Sequence, residues 1–201
     1  MKKLPLSFYN RKDVVKIARD LLGKIVVTHF DGKITSGKIV ETEAYVGVID
    51  KASHAFSGRR TARNEHMYSS AGTAYVYICY GMHQMLNIVT NEKEIPDAVL
   101  IRAIEPVIGI EIMMERTGKK ISDKSITRGP GNVGKSLGIY KHHSGLYLLE
   151  EEIYLLDTEE KIPDEQIGVS KRIGVEGAGA DALLPYRFYI KGNKYVSGNN
   201  S

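Results

Sequence analysis

Two glutamates and a tyrosine alternate in the segment Lys38–Val46, which reads KIVETEAYV. If this segment is a β-strand, successive side chains alternate between its faces, and one side carries Ile39, Glu41, Glu43 and Tyr45. Neighbouring carboxyl and phenol groups are suited to proton transfer and to stabilising a positive charge. A solvated polar sheet face has the same pattern, so this segment alone leaves both interpretations open.

Tyrosines recur in a second β-rich segment, Thr73–Tyr80, which reads TAYVYICY. Tyr75 and Tyr77 share one face, whereas Tyr80 has the opposite parity and ends the run at Gly81. Tyrosine favours sheets, so ordinary packing accounts for such a pattern. An aromatic ring at a strand end beside a turn is also well placed to stack on a base or to enter a DNA duplex as a wedge.

His54 and Arg102 are two further polar residues that could take part in a site. His54 lies in the segment IDKASHAF, and no spacing of His, Cys or acidic residues around it indicates a metal site. Arg102 interrupts the apolar segment Ala98–Ile104, which reads AVLIRAI. A buried arginine requires a partner, and Glu43 is available as one.

A literal phosphate-loop pattern, GPGNVGKS, occupies Gly129–Ser136. A nucleotide-binding loop follows a buried parallel strand and opens a long helix. Here the preceding segment, KKISDKSIT, is too polar for a central strand, and the helical run ends near Leu137. Two further interpretations stay open: a glycine-rich turn whose backbone N–H groups hold one DNA phosphate, or a plain turn that permits close helix packing.

Composition limits the class of protein. The 201 residues carry a net charge of +4 and are 42% hydrophobic and 26% charged, which fits a folded domain. Such a charge favours an anionic partner where the cations cluster. Cys79 is the single cysteine, so we expect a reducing, cytoplasmic setting without a disulfide. No segment has the apolar length of a signal peptide or a membrane span.

The elements that must position these groups follow from periodicity and turn residues. Strands joined by short turns, such as Asp31-Gly32, predict an antiparallel or mixed sheet with flanking helices. The tail from Ser197 to Ser201 is expected to fray. The predicted helices are Asp13–Leu22 and Pro106–Arg116, and the predicted strands are Lys24–Phe30, Lys33–Val46, Thr73–Tyr80, Gln84–Thr90, Ala98–Ile104, Ile153–Leu156 and Arg187–Ile190.

Several segments together resemble the alkyladenine DNA glycosylase family, also called methylpurine or 3-methyladenine DNA glycosylases. They read IVETEAY, SHAFSGRRTARN, GTAYVYICYGMHQMLNI, VLIRAIEP, and RIGV with YRFYIKG. The resemblance implies an α+β fold: a single compact mixed domain over residues 1–201, with an ordered core of about 5–197, a curved antiparallel sheet, flanking helices and a protruding β-hairpin. It implies an enzyme without metal or organic cofactor. A single compact domain that acts on duplex DNA suggests a monomer, and the lack of a membrane-length apolar segment predicts no membrane partner.

The activity that the resemblance implies is that of a monofunctional DNA glycosylase in base excision repair. Such an enzyme hydrolyses the N-glycosidic bond of alkylated or deaminated purines that are flipped out of double-stranded DNA. Glu43 matches the family's general base, which activates water for attack at the sugar C1′. Arg102 and the backbone carbonyl of Ile173 match positions that help to hold this water.

The resemblance assigns further residues to DNA contacts. Tyr45, His54 and Tyr77 match the lining that sandwiches the extruded base, and Asn87 matches a residue that crowds the exocyclic amine of normal guanine. Tyr80 matches the wedge that fills the vacated space in the stack, with Met82 and His83 beside it. The residues expected to contact the DNA backbone are Arg59, Thr61 and Arg63 and, in the glycine-rich turn, Gly131 and Lys135.

Two other classes of function remain alternatives at this point. A non-catalytic nucleic-acid-binding module would use the same basic loops and aromatic hairpin but release no base. A P-loop nucleotide hydrolase would act through Gly129–Ser136 and lose activity on Lys135→Ala.

Overall fold

The computed structural model describes residues 1–198, so the predicted fraying of residues 199–201 lies outside the described part of the chain. Ser197 is held in place, because its N–H donates to the carboxylate of Glu41 at 2.8 Å. At the other end, Lys2 and Lys3 pair with a strand and Leu4 is buried, so the folded part begins before residue 5.

Nine strands form one sheet within residues 1–198, and every pairing between them is antiparallel. The strands are β1 (Lys2–Lys3), β2 (Ile25–Phe30), β3 (Lys33–Tyr45), β4 (Ala74–Cys79), β5 (His83–Thr90), β6 (Asp97–Ile108), β7 (Ile153–Asp157), β8 (Ile167–Ser170) and β9 (Arg187–Ile190). The helices are α1 (Leu6–Tyr9), α2 (Val14–Asp20), α3 (Ile110–Thr117) and α4 (Pro130–Leu137). This arrangement confirms the predicted α+β fold with an antiparallel sheet and flanking helices.

The strand order is β1-β7-β2-β3-β6-β5-β4, and β3 is the organising strand. One edge of β3 pairs along its length with β6, while the other edge pairs first with β2 and then, at 41–43, with β9. The carboxylate-bearing half of β3 therefore has a partner on both sides. Side chains there cannot reach solvent along the sheet and must point to one of its two faces.

The two faces of the sheet are different. One face carries apolar residues such as Ala44, Val99 and Ile101, which belong to the main hydrophobic core with α2 and α4. The opposite face carries Glu43, whose register partner is Leu100, and the next strand places Asn87 beside Leu100. Chain segment 46–70 covers this second face, where a smaller apolar cluster forms around Tyr75.

Three irregularities interrupt the register between β3 and β6, and two of them lie on either side of Glu41. Pairing passes from Ile39↔Ile104 to Glu41↔Ala103 and then to Thr42↔Ile101, so it skips Val40 on β3 and Arg102 on β6. Bulges of this kind redirect side chains locally. Simple alternation predicted Ile39 on the carboxylate face, and this was wrong, because Ile39 and Val40 both pack in the main core.

The predicted helix Pro106–Arg116 was also wrong at its start. Strand β6 continues through Pro106 to Ile108, and α3 begins at Ile110 after Gly109. Proline is tolerated in this strand because Pro106 pairs with Gly37 at a register shift, where the ladder is already interrupted. Helices with the length and hydrophobicity of a membrane span are absent from residues 1–198.

Candidate active site

The carboxylate of Glu43 lies at the centre of the covered face of the sheet and is 0% exposed. Its Oε1 accepts a hydrogen bond from the backbone N–H of Ile173 at 2.7 Å. Its Oε2 accepts from the hydroxyl of Tyr45 at 2.9 Å and from Nη1 of Arg102 at 3.3 Å. The carboxylate is thus fixed by three donors from three separate chain segments.

Burial raises the pKa of Glu43, and the charge of Arg102, the Ile173 N–H and the Tyr45 hydroxyl only partly offset that rise. A carboxylate that is desolvated yet still paired with an arginine is a stronger base than an exposed glutamate. Burial also raises the pKa of Tyr45 well above the ordinary range, with the Glu43 charge adding to the effect. Tyr45 therefore stays protonated and donates to Glu43.

Arg102 connects the two glutamates of β3. Its Nε donates to Glu41 at 3.0 Å while Nη1 donates to Glu43. Glu41 is also fully buried, and it accepts from Nε of Arg187 at 2.7 Å and from the N–H of Ser197. Two glutamates and two arginines thus form a charge-balanced buried network, as such groups require.

Ile173 contributes to the site through its backbone. The sequence assigned a role to its carbonyl, whereas the structure shows its N–H bonded to Glu43. The preceding residue, Arg172, fixes this segment because its guanidinium is buried against both carboxylate oxygens of Asp50 and donates to the carbonyl of Ala44 at 2.9 Å. The same guanidinium lies over the ring of Tyr45, 4.8 Å from its centroid.

An aromatic cavity of about 170 Å³ opens beside this carboxylate. Its wall contains Tyr45, Tyr75, Tyr77 and His54, so the structure brings together three pocket residues that the sequence named. Nδ1 of His54 lies 2.8 Å from the Tyr75 hydroxyl, and its ring meets that of Tyr77 edge-on at 4.5 Å. Burial, helped by nearby arginines, lowers the pKa of His54 to about 4, so this ring is neutral at physiological pH.

Asn87 forms another part of the cavity wall and is 4% exposed. Its side-chain amide donates to the carbonyls of Tyr75 and Met85 at 3.2 and 3.3 Å. These bonds use the N–H groups of the amide and fix its orientation. The cavity also includes Cys79 and Gly174, which lies directly after Ile173.

The loop over residues 59–64, called the basic loop here because it carries three arginines, lies at the same cavity. Asn64, which is 2% exposed, donates to the carbonyls of His54 and Arg59 and accepts from the N–H of Thr61, so it pins the loop in place. Arg59 and Thr61 lie at the solvent side of this loop. Arg63, which was assigned to the DNA backbone from the sequence, is exposed and also lines the cavity.

The hairpin β4–β5 projects its tip into solvent. Tyr80 is 87% exposed and Met82 is 70% exposed, whereas neighbouring Tyr75 is buried in the sheet. The Cys79 carbonyl accepts from the Met82 N–H, and Tyr80 and Gly81 both have positive φ, 50° and 72°. A large apolar ring is thus presented at the far end of a rigid two-stranded support.

The glycine-rich motif forms α4, which packs against this hairpin. A Cβ at Gly134 would lie 2.1 Å from the carbonyl oxygen of Gln84, and one at Gly131 would lie 2.6 Å from Nδ1 of His83. His83 is exposed but lies against the helix, unlike Tyr80 and Met82. Gly131 and Gly134 therefore permit the close packing of α4 on the hairpin, while contact of this turn with a DNA phosphate stays a prediction.

The arrangement around α4 differs from that of a nucleotide-binding loop. The residues before Gly129 form a short 3-10 turn at Lys124–Ile126 where such a loop requires a parallel strand, and α4 has only eight residues. Nζ of Lys135 lies 3.4 Å from the carbonyl of Thr117. Across residues 1–198, no group of three or more His, Cys, Asp or Glu side chains could hold a metal ion.

Some residues of the site were not assigned from the sequence. Tyr75 was recognised as sharing a face with Tyr77, which was a usable signal for a cavity wall. Arg172 and Asp50 carried no signal beyond the RIGV segment, because their pairing joins positions 122 residues apart. Arg187 was likewise recognised only as part of a short strand.

Comparison with known proteins gives the same family as the sequence motifs. Residues 7–194 match the sequence profile described as methylpurine-DNA glycosylase. A relative from Clostridium perfringens (strain 13) that is named as a 3-methyladenine DNA glycosylase is 45% identical, and the match covers 97% of this chain and 98% of the relative. Relatives with the same name from Bacillus subtilis (strain 168) and Chlamydia felis are 41% and 44% identical and match 96% and 93% of this chain, and 96% and 95% of their own lengths. The match spans almost the whole chain, and the protein therefore belongs to the methylpurine-DNA glycosylase family.

Proposed function

We propose that this protein is a monofunctional DNA glycosylase that hydrolyses the N-glycosidic bond of alkylated or deaminated purines in double-stranded DNA. One observation carries the proposal: the buried carboxylate of Glu43 is hydrogen-bonded to Tyr45, which is itself a wall of the aromatic cavity. Family membership supports the same reaction class, since the relatives are named for release of 3-methyladenine from DNA.

Glu43 acts as the general base in this proposal. Cleavage of the glycosidic bond gives the sugar a positive, oxocarbenium-like charge, which a nearby carboxylate stabilises while it takes a proton from the attacking water. The raised pKa of Glu43 suits this role, because a base works best with a pKa near the working pH. Arg102 holds the carboxylate in position and keeps it ionised.

The cavity receives the damaged base after it leaves the duplex. A base inside a duplex is out of reach, so it must be flipped out at a cost of a few kcal/mol. Stacking against Tyr45, Tyr77 and His54 offsets this cost by about 1–3 kcal/mol for a base on an aromatic platform. Asn87 discriminates at the far wall, where a bulky exocyclic amine on guanine meets its fixed side chain.

The exposed tyrosine of the hairpin fills the space that the flipped base leaves. Tyr80 has the exposure and the rigid support that an intercalating wedge needs, with Met82 beside it. Arg59 provides a cation, and Thr61 a hydroxyl group, for the phosphates next to the lesion. The reaction requires neither an amine nucleophile nor strand cleavage, and we propose that one copy of the chain acts alone.

The direct test uses duplex oligonucleotides that carry one lesion each: hypoxanthine, 3-methyladenine, 7-methylguanine or ethenoadenine. Incubation followed by alkali converts abasic sites into strand breaks, and chromatography identifies the free base. We expect release of free base, breaks only after alkali, and full activity in a chelator. Tight binding of lesion DNA with no base released from any substrate would instead favour a non-catalytic binding module.

A further inference from the structure

Arg63 lies at the cavity as a cation without an acidic partner. Its Nη2 donates to the carbonyl of Ile78 at 3.2 Å, and its guanidinium lies over the ring of Tyr77, 5.5 Å from the centroid. Among residues 1–198, no carboxylate lies within ion-pair distance of it. Its neighbour Arg60 differs, because Glu65 and Glu94 neutralise it on the surface.

The buried charges around the cavity are balanced or absent. Glu43 and Glu41 are matched by Arg102 and Arg187, and the low pKa of His54 leaves its ring neutral. Arg59 and Arg63 are both exposed and have no acidic partner within residues 1–198, and of the two it is Arg63 that lines the cavity. Its field reaches the cavity wall, since it lowers the pKa of His54 and opposes the rise in the pKa of Tyr77.

The position of Arg63 matters for substrate choice because damaged purines differ in charge. A purine methylated at N3 or N7 carries a delocalised positive charge, whereas hypoxanthine and ethenoadenine are neutral at physiological pH. Tyrosine faces attract cations, so an aromatic cavity by itself favours the charged lesions. In this protein a guanidinium already lies over the face of Tyr77.

We infer that Arg63 is a specificity-determining residue that disfavours positively charged purines relative to neutral ones in the base cavity. The inference rests on the proposed function and specifies its preferred substrate class. A like charge several ångströms away, in surroundings between protein and water, changes relative binding by about tenfold. The loop supports this role because buried Asn64 fixes the backbone on which Arg63 stands.

The experiment compares two lesions in the same duplex sequence, hypoxanthine and 7-methylguanine, under single-turnover conditions with saturating enzyme. The measured quantity is the ratio of the two excision rates, which is then compared between variants, so that the intrinsic stability of each glycosidic bond cancels. Arg63→Gln should raise the rate on 7-methylguanine relative to hypoxanthine by about tenfold. Arg63→Lys, which keeps the charge, should stay within about twofold of the wild-type ratio.

Arg59→Gln is the matched control, because it removes one positive charge from the same loop but from a side chain outside the cavity. It should shift the ratio of the two rates by less than Arg63→Gln does, because the charge of Arg59 acts on the cavity wall at His54 more weakly than that of Arg63. An Arg63→Gln variant with an unchanged ratio, or with an equal fall on both lesions, would show that Arg63 serves only the phosphates and would overturn the inference. If the wild-type enzyme released neither base, the proposed function itself would fail, and the inference with it.

Discussion

Glu41 and Glu43 are the same residue type, two positions apart on β3, and both are fully buried. Substitution by glutamine should nevertheless affect the rate of base release at one position and the stability of the fold at the other. We expect Glu43→Gln to remove base release while leaving the fold intact. We expect Glu41→Gln to leave the proposed base in place while weakening the fold. The pair therefore separates chemistry from stability within one strand.

The magnitudes follow from the partners of each side chain. General base catalysis contributes about 10²–10⁴-fold to a rate, so Glu43→Gln should slow single-turnover excision by at least about a hundredfold. The free energy of unfolding should change by less than about 1 kcal/mol, because two effects limit the loss. Arg102 keeps its hydrogen bond to Glu41, and a neutral glutamine does not carry the cost of burying a charge, which in the wild type raises the Glu43 pKa. Affinity for lesion DNA should persist.

Glu41→Gln removes the charge that two buried arginines share and the acceptor of the Ser197 N–H. Breaking a buried ion pair from one side costs about 3–5 kcal/mol, or a fall in melting temperature of about 10 °C for a chain of this size. Both variants are compared by denaturant unfolding and by excision at a temperature where each is folded. Retained turnover in the Glu43→Gln variant would show that Glu43 is not the general base. Equal destabilisation by both changes would contradict the argument that Glu41, rather than Glu43, carries the charge that stabilises the two buried arginines.

Four other predictions concern the hairpin, the cavity and pH. Tyr80→Asn should relieve the positive-φ strain and raise the free energy of unfolding slightly, yet weaken the flipped state; unchanged excision and lesion affinity would remove the wedge role. Asn87→Ser should permit release of guanine from mispairs, which a guanine-release assay would detect. Gly134→Ala should cost about 1–3 kcal/mol and lower duplex affinity, whereas Gly177→Ala, where a Cβ has open space, should do neither. Burial lowers the pKa of both His54 and His143 to about 4, so the unfolded chain binds extra protons below pH 6.5 and stability should fall from pH 6.5 towards 4. The share of His54 is at most about 3 kcal/mol, and His54→Asn should reduce the slope of pH-dependent unfolding by that share while the share of His143 remains.

Much of the sheet followed from the sequence because its strands are long and alternate clearly. The Asp31-Gly32 turn and both strands around it were predicted within a residue of their observed ends, since a two-residue hairpin fixes register locally. The short strands β1 and β8 were missed: β1 is two lysines, and β8 reads IGVS, in which a glycine and a serine weaken the strand pattern. Strand β9 is as short as β8, but its residues, RFYI, include two aromatic side chains and an isoleucine, and it was predicted. Strands β1 and β8 exist only through pairing with distant strands.

The site was predictable in its members but not in its geometry. The resemblance named Glu43, Arg102 and the tyrosines, which the fold does bring together. It did not indicate that Arg63 would lie over Tyr77. The conformation of this loop is fixed by hydrogen bonds from the Asn64 side chain to particular backbone carbonyls, and these partners cannot be read from the sequence. Nor could it place the two bulges that skip Val40 and Arg102, since register is a property of two strands about 60 residues apart.

Two turns in the same sheet have the same backbone conformation, but only one of them has the residue types that this conformation favours. Asp31-Gly32 and Tyr80-Gly81 both have positive φ at their two central residues, as in a type I′ turn. Aspartate tolerates that conformation through its short polar side chain, whereas a bulky tyrosine is strained there by about 1–2 kcal/mol. Within residues 1–198 the ring of Tyr80 is 87% exposed, so burial of its apolar surface does not offset this strain. The proposed wedge role accounts for a tyrosine at this position, because a flat, apolar ring at the tip of a hairpin fits a gap in a base stack.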